Sequence, residues 1–69
     1  MNTNEILIDY DGNELHEGDR VWCYDWDGIA KCYGTLHLNI QYPNVSKWYI
    51  KYDDGNEFAV LEEDFVFKA

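Results

Sequence analysis

The most informative segment of the sequence is Gly18-Asp19-Arg20-Val21-Trp22-Cys23-Tyr24-Asp25-Trp26-Asp27-Gly28, which continues from Ile29 to Leu36. It predicts one β-hairpin, because Asp27-Gly28 tolerates the left-handed torsions of a two-residue turn. The two strands then pair so that Cys23 lies opposite Cys32. In the same register Val21 faces Gly34 and Trp22 faces Tyr33.

Side chains alternate between the two faces of such a hairpin. One face is small and is expected to belong to the core: Val21, Cys23, Cys32 and Gly34. The other face is paved with rings: Trp22, Tyr24, Trp26, Ile29, Lys31 and Tyr33. An exposed apolar patch of this kind usually marks an interaction site, but a covering strand at Ile6–Ile8 would make it core.

Charge is the clearest global property of this 69-residue chain, whose length suits one small domain. Fourteen Asp and Glu against five Lys and Arg give a formal net charge of -9. Nucleic acids and anionic membranes are bound by cations, so we expect no direct nucleic-acid or membrane partner. A basic protein surface or peptide is favoured, although strong negative charge also keeps an aromatic-rich domain in solution.

Sequence motifs that would indicate a cofactor site or a catalytic site are weak in this chain. Asp9, Asp11 and Asn13 have the opening spacing of a calcium loop, but Glu14 and Arg20 occupy its glycine and closing glutamate positions. The single serine lacks a nucleophile-elbow motif, and no phosphate-binding glycine loop is present. We therefore predict a protein without metal, cofactor or enzymatic activity. The two cysteines are expected to be thiols in a cytoplasmic protein, because no signal-peptide pattern follows Met1.

Short β-type runs separated by turn signals continue on both sides of the hairpin, and no window shows a helical period. The expected further strands are Ile6–Ile8, His37–Tyr42 as an extension, Trp48–Tyr52, Glu57–Leu61 and Val66–Phe67. A 3₁₀ turn is expected over Leu61–Phe65. We predict an all-β fold, a small five-stranded, strongly bent antiparallel barrel over residues 6–69, after a flexible N-terminal segment 1–5.

A second hairpin is expected around Asp54-Gly55, the third Asp-Gly pair of the chain. A two-residue turn there predicts four core residues: Trp48, Ile50, Ala59 and Leu61. The same register predicts that Tyr49 and Phe58 lie on the opposite face.

Several motifs together resemble the Tudor domain, one of the Src-homology-3-like small barrels. They are Gly18-Asp19-Arg20-Val21, Asp27-Gly28, Tyr33-Gly34-Thr35-Leu36, Tyr52-Asp53-Asp54-Gly55-Asn56 and Leu61-Glu62-Glu63-Asp64-Phe65. The resemblance covers roughly residues 15 to 67. The opening from Asp11 to Val21 also looks like the lead-in of small barrel proteins of bacteria and their phages.

The resemblance implies a cage of rings that binds methylated lysine or arginine by cation–π attraction. Tyr33 and Tyr52 match two of the cage rings, and Asn56 matches a polar neighbour. Tyr24 or Trp26 would supply a further wall. The match departs from the family pattern at two positions where aromatic residues are usual, Asp25 and Asp54.

Our main hypothesis from the sequence is an acidic, non-enzymatic module that docks an aromatic face on a basic protein partner. The candidate aromatic face is Trp22, Tyr24, Trp26, Tyr33 and Tyr52; the candidate acidic and polar rim is Asp25, Asp27, Asp53, Asp54, Asn56 and Glu57. One form would be a phage or bacterial regulator, acting in the host cytoplasm, that inhibits a nucleic-acid-binding protein. The alternatives are a Tudor-type reader of methylated peptides and a small-ligand-binding oligomer.

Overall fold

Two antiparallel sheets form the architecture of this computed structural model, which describes residues 5–25, 27–61 and 65–69. The strands are β1 (Leu7–Ile8), β2 (Glu14–Leu15), β3 (Arg20–Tyr24), β4 (Lys31–Leu38), β5 (Trp48–Tyr52), β6 (Glu57–Ala59) and β7 (Phe67–Lys68). β1 pairs with β2. The larger sheet has the strand order β6-β5-β4-β3-β7. Among the described residues, no helix is long and apolar enough to cross a membrane.

The predicted all-β class is confirmed, but the closed barrel is wrong. The five-stranded sheet stays open, with β6 and β7 at its two edges. These edge strands have only three and two residues, and β1 pairs with β2 instead of joining either edge. Only Glu5 of the predicted flexible segment 1–5 lies within the described residues, and its carboxylate accepts a 2.9 Å bond from the Lys47 ammonium.

The register of the central hairpin is confirmed, because Cys23 lies opposite Cys32 and the neighbouring pairs follow. Its turn differs from the two-residue turn expected at Asp27-Gly28. The Gly28 amide donates to the Asp25 carbonyl (2.8 Å), and the Asp25 amide donates to the Ala30 carbonyl (2.7 Å). The Asp27 carboxylate accepts bonds from the Ile29 and Ala30 amides, which stabilises this wider loop.

The predicted register of the second hairpin is wrong by one residue. Ile50 lies opposite Phe58, and Tyr49 lies opposite Ala59. The physical reason is a three-residue loop, in which the Tyr52 amide donates to the Asn56 carbonyl (2.7 Å) and Gly55 has φ +97°. The extra loop residue moves Phe58 to the side of the sheet predicted for Ala59.

The core lies on one side of the five-stranded sheet, which we call the inner face, beneath the β1–β2 hairpin. Its buried members are Leu7, Leu15, Val21, Cys23, Leu36, Trp48, Ile50 and Val66. The burial predicted for Trp48 and Ile50 is confirmed. Leu61 is 73% exposed and therefore does not join the core. The opposite side of the sheet is the outer face.

Three expected boundaries also change. β4 ends at Leu38 rather than Tyr42, because the Asn39 side chain and the Tyr42 backbone exchange two hydrogen bonds of 3.1 Å that turn the chain. The closing strand begins at Phe67, one residue later than expected. Most of the 3₁₀ turn expected over Leu61–Phe65 lies outside the described residues.

Candidate functional site

The outer face of β3 and β7 carries a group of rings that we call the aromatic cluster, defined as Tyr10, Trp22, Tyr24 and Phe67. Trp22 and Phe67 stack with 4.3 Å between ring centroids and 14° between ring planes. Tyr24 meets Trp22 edge-on at 5.0 Å, and Tyr10 lies 5.4 Å from Phe67. Tyr10 and Tyr24 are exposed and Trp22 is half-buried, so the cluster presents aromatic surface to solvent.

The expected ring face is therefore present on β3, but its composition differs from the prediction. Tyr33 lies opposite Trp22 and is 42% exposed. Trp26 lies outside the described residues. Phe67 was missed because it reaches this face only through the pairing of β7 with β3. Tyr10 was missed because it reaches Phe67 from the β1–β2 turn, where its amide donates to the Val66 carbonyl (3.0 Å).

Tyr52 requires a correction, since it lies on the inner face and not with the aromatic cluster. It is opposite Gly34 and packs against the core. Burial, followed by its hydrogen bond with Cys23, raises the pKa of the Tyr52 phenol. Tyr33 has the opposite orientation in the sheet, so these two rings do not form one cage.

The outer face also holds three of the chain's five Lys and Arg residues: Arg20, Lys31 and Lys51. The Lys31 ammonium lies 4.4 Å from the centroid of the Trp22 ring. Arg20 makes two 2.8 Å bonds to the Asp53 carboxylate. The hydrogen bond from Arg20 lowers the pKa of Asp53, so this carboxylate already has a cationic partner within the chain.

Acidic side chains converge at the end of the sheet where the β3–β4 and β5–β6 loops lie. We call this the acidic end and define it as Asp25, Asp27, Asp53 and Asp54. Desolvation, and then the charges of Asp25, Asp54 and Asp27 in that order, raise the pKa of the half-buried Cys32 thiol. The Asp53 amide donates a 3.0 Å bond to the Tyr33 carbonyl, which joins the β5–β6 loop to β4.

The remaining rim candidates have different positions. The Asn56 amide and side chain donate to the Asp54 carboxylate at 2.9 and 3.1 Å, so Asn56 shapes the β5–β6 turn. Glu57 is the first residue of β6 and lies opposite Lys51. Within residues 5–25, 27–61 and 65–69, no three His, Cys, Asp or Glu side chains are placed to hold a metal ion.

Comparison with protein-family models, with curated proteins and with solved structures finds no match to this chain. The resemblance to Tudor domains therefore stays a prediction from short motifs. The chemistry of the surfaces just described is the available evidence on function.

Reactivity of Cys32 provides a direct measure of the electrostatic field at the acidic end. We expect Asp27→Asn or Asp54→Asn to lower the pKa of this thiol and to speed its alkylation by iodoacetamide at neutral pH about twofold. Mass spectrometry of digested protein separates Cys32 from the buried Cys23. Glu14→Gln on β2 serves as the control with the same charge change. An unchanged rate in both aspartate variants would show that these carboxylates do not act on Cys32.

Proposed function

We propose that this chain is a non-enzymatic binding module that docks its aromatic cluster and acidic end on a basic protein partner. The convergence of aspartates from two loops around Cys32 supports the proposal most strongly. These loops directly adjoin the exposed rings, because Tyr24 precedes the β3–β4 loop and the Tyr33 carbonyl holds the β5–β6 loop. Apolar area and negative charge therefore meet on one contiguous surface.

The two parts of this surface have different roles. The rings supply contact area that loses little side-chain entropy on binding, as is typical of interface hot spots. The carboxylates of Asp27 and Asp54 are exposed, so they attract a basic partner over long range and orient it. A partner that binds nucleic acid would meet carboxylates where phosphates otherwise lie, which makes inhibition of such a protein the specific form that we propose.

Titration with a basic peptide tests this proposal. The double variant Asp27→Asn/Asp54→Asn is expected to bind a lysine- and arginine-rich peptide about fivefold more weakly than the unaltered chain at low salt. Glu5→Gln/Glu14→Gln gives the same net charge from residues outside the aromatic cluster and the acidic end, and should retain most of the affinity. If both double variants lost the same affinity for the peptide, net charge alone would explain the effect, and a defined binding site would be contradicted.

The same titration separates the proposal from methyl-lysine recognition. Because Tyr33 and Tyr52 lie on opposite faces, we expect trimethylated and unmodified lysine peptides to bind with similar affinity. Tryptophan fluorescence and the chemical shifts of Trp22 and Tyr24 report where the peptide binds. A preference for the methylated peptide of about tenfold would favour the Tudor-type reader instead.

A further inference from the structure

Some backbone N–H and C=O groups of the edge strand β6 point away from the sheet. The Val60 amide donates to the Trp48 carbonyl (2.9 Å), and the Tyr52 amide donates to the Asn56 carbonyl (2.7 Å). Hydrogen-bonded and non-hydrogen-bonded pairs alternate in an antiparallel ladder. Glu57 and Ala59 are therefore non-hydrogen-bonded positions relative to β5, and their N–H and C=O groups point outward. No strand of residues 5–25, 27–61 or 65–69 pairs with β6 on that side.

An open groove of about 590 Å³ lies between this edge and the β4–β5 loop. Its walls include Ile40, Tyr42 and Phe58, whose exposed fractions are 88%, 63% and 57%. The loop is held in shape by the paired Asn39–Tyr42 hydrogen bonds. The Ser46 hydroxyl shares its one proton between two carbonyls at the end of the β5–β6 ladder. Its oxygen lies 2.9 Å from the Trp48 carbonyl oxygen and 2.5 Å from that of Val60.

The charges around the groove indicate which kind of polypeptide it can bind. The charged side chains that line it are Glu17 and Glu57, both acidic. A second copy of this chain would bring another net charge of -9 to the same place, which opposes self-association through this edge. A cationic strand has complementary charge.

We propose that β6 and the groove bind an extended peptide as a sixth strand of the large sheet, with apolar and basic side chains alternating along that peptide. Backbone hydrogen bonds would form with Glu57 and Ala59, as in other cases of strand addition. Peptide residues beside Glu57 lie on the outer face and would carry the cations. Residues beside Phe58 lie on the inner face and would carry the apolar side chains. This edge is opposite the β7 edge of the aromatic cluster, so the inference does not rest on the function proposed above.

Nuclear magnetic resonance with an acetylated peptide of about seven alternating lysines and valines tests the proposal. We expect the amide signals of Glu57 and Ala59 to shift, and their hydrogen exchange to slow, because both N–H groups gain acceptors. A peptide in which glutamate replaces lysine should bind at least tenfold more weakly. Equal binding of the two peptides, or shifts confined to Trp22 and Tyr24, would overturn the proposal.

Variants of β6 give an independent test. Ala59→Pro removes an outward donor without removing a bond to β5, and should weaken binding of the lysine–valine peptide at least tenfold. Glu57→Lys should also weaken binding and keeps the test valid if the proline variant does not fold. Glu14→Lys on β2 is the control with the same charge change. Unaltered affinity in folded Ala59→Pro and Glu57→Lys would overturn the proposal, as would sedimentation showing a dimer that Ala59→Pro abolishes.

Discussion

Gly34→Ala is expected to remove more than half of the protein's free energy of unfolding at room temperature. A Cβ at this position would lie 2.6 Å from the Lys51 carbonyl oxygen and 2.7 Å from Cγ2 of Ile50. It would also lie 3.0 Å from the Tyr52 Cα, and hydrogen bonds between β4 and β5 prevent the backbone from moving aside. We expect a loss of roughly 3 kcal/mol in the free energy of unfolding, out of the roughly 5 kcal/mol typical of small domains.

Urea denaturation followed by tryptophan fluorescence measures this loss, and Gly55→Ala is the matched control. Gly55 has φ +97° but no atom within 4 Å of an added Cβ, so the same substitution there carries only a conformational cost of about 1 kcal/mol. The contrast isolates steric overlap from backbone strain. If both variants lose the same stability, the overlap at Gly34 is not the cause.

Asp9→Ala is the second substitution with a large expected effect. The Asp9 carboxylate is 4% exposed and accepts bonds from the Asn13 amide (2.6 Å), the Asn13 side chain (3.1 Å) and the Lys68 amide (2.9 Å). It therefore links the β1–β2 hairpin to the edge strand β7. Removing it leaves polar groups without partners, and we expect the free energy of unfolding to fall by roughly 3 kcal/mol.

Asp11→Ala in the same turn is the matched control, because Asp11 is exposed and, within the part of the chain that the structure describes, its side chain makes no comparable link between strands. Its stability should stay within about 0.5 kcal/mol of the unaltered chain. Thermal unfolding monitored by circular dichroism compares the two variants. A loss at Asp9 no larger than that at Asp11 would contradict a role for the buried carboxylate in joining the two sheets.

The ionised form of Asp9 also makes stability depend on pH. Burial alone would raise the pKa of this carboxyl, but hydrogen bonds from Asn13, Lys68 and Asp11 outweigh it and lower the pKa below 3.8. The unfolded chain therefore binds more protons than the folded chain in acid. The stabilisation is complete above pH 3.8 and is lost as the pH falls through the folded pKa. Asp9→Asn should show a weaker fall in stability over that acidic range, and an identical fall would exclude this contribution.

The register of the central hairpin could be predicted from the sequence because that register depends on local signals. Apolar alternation and an Asp-Gly turn predicted that Cys23 faces Cys32, and an error in the turn did not alter that pairing. The second hairpin shows the limit of the same reasoning. A loop of three residues in place of two moved Phe58 to the other side of the sheet, because side chains alternate with a period of two.

Local composition and alternation were enough to predict the all-β class and the two-sided central hairpin, and the aspartates in its turns can be read directly from the sequence. Three further features emerge only in the folded chain: the sheet stays open, Phe67 stacks on Trp22, and Tyr52 lies among core residues. Each depends on pairing between distant segments. The free edge of β6 has the same origin, because whether a strand gains a second neighbour is settled by the whole chain and not by its own residues.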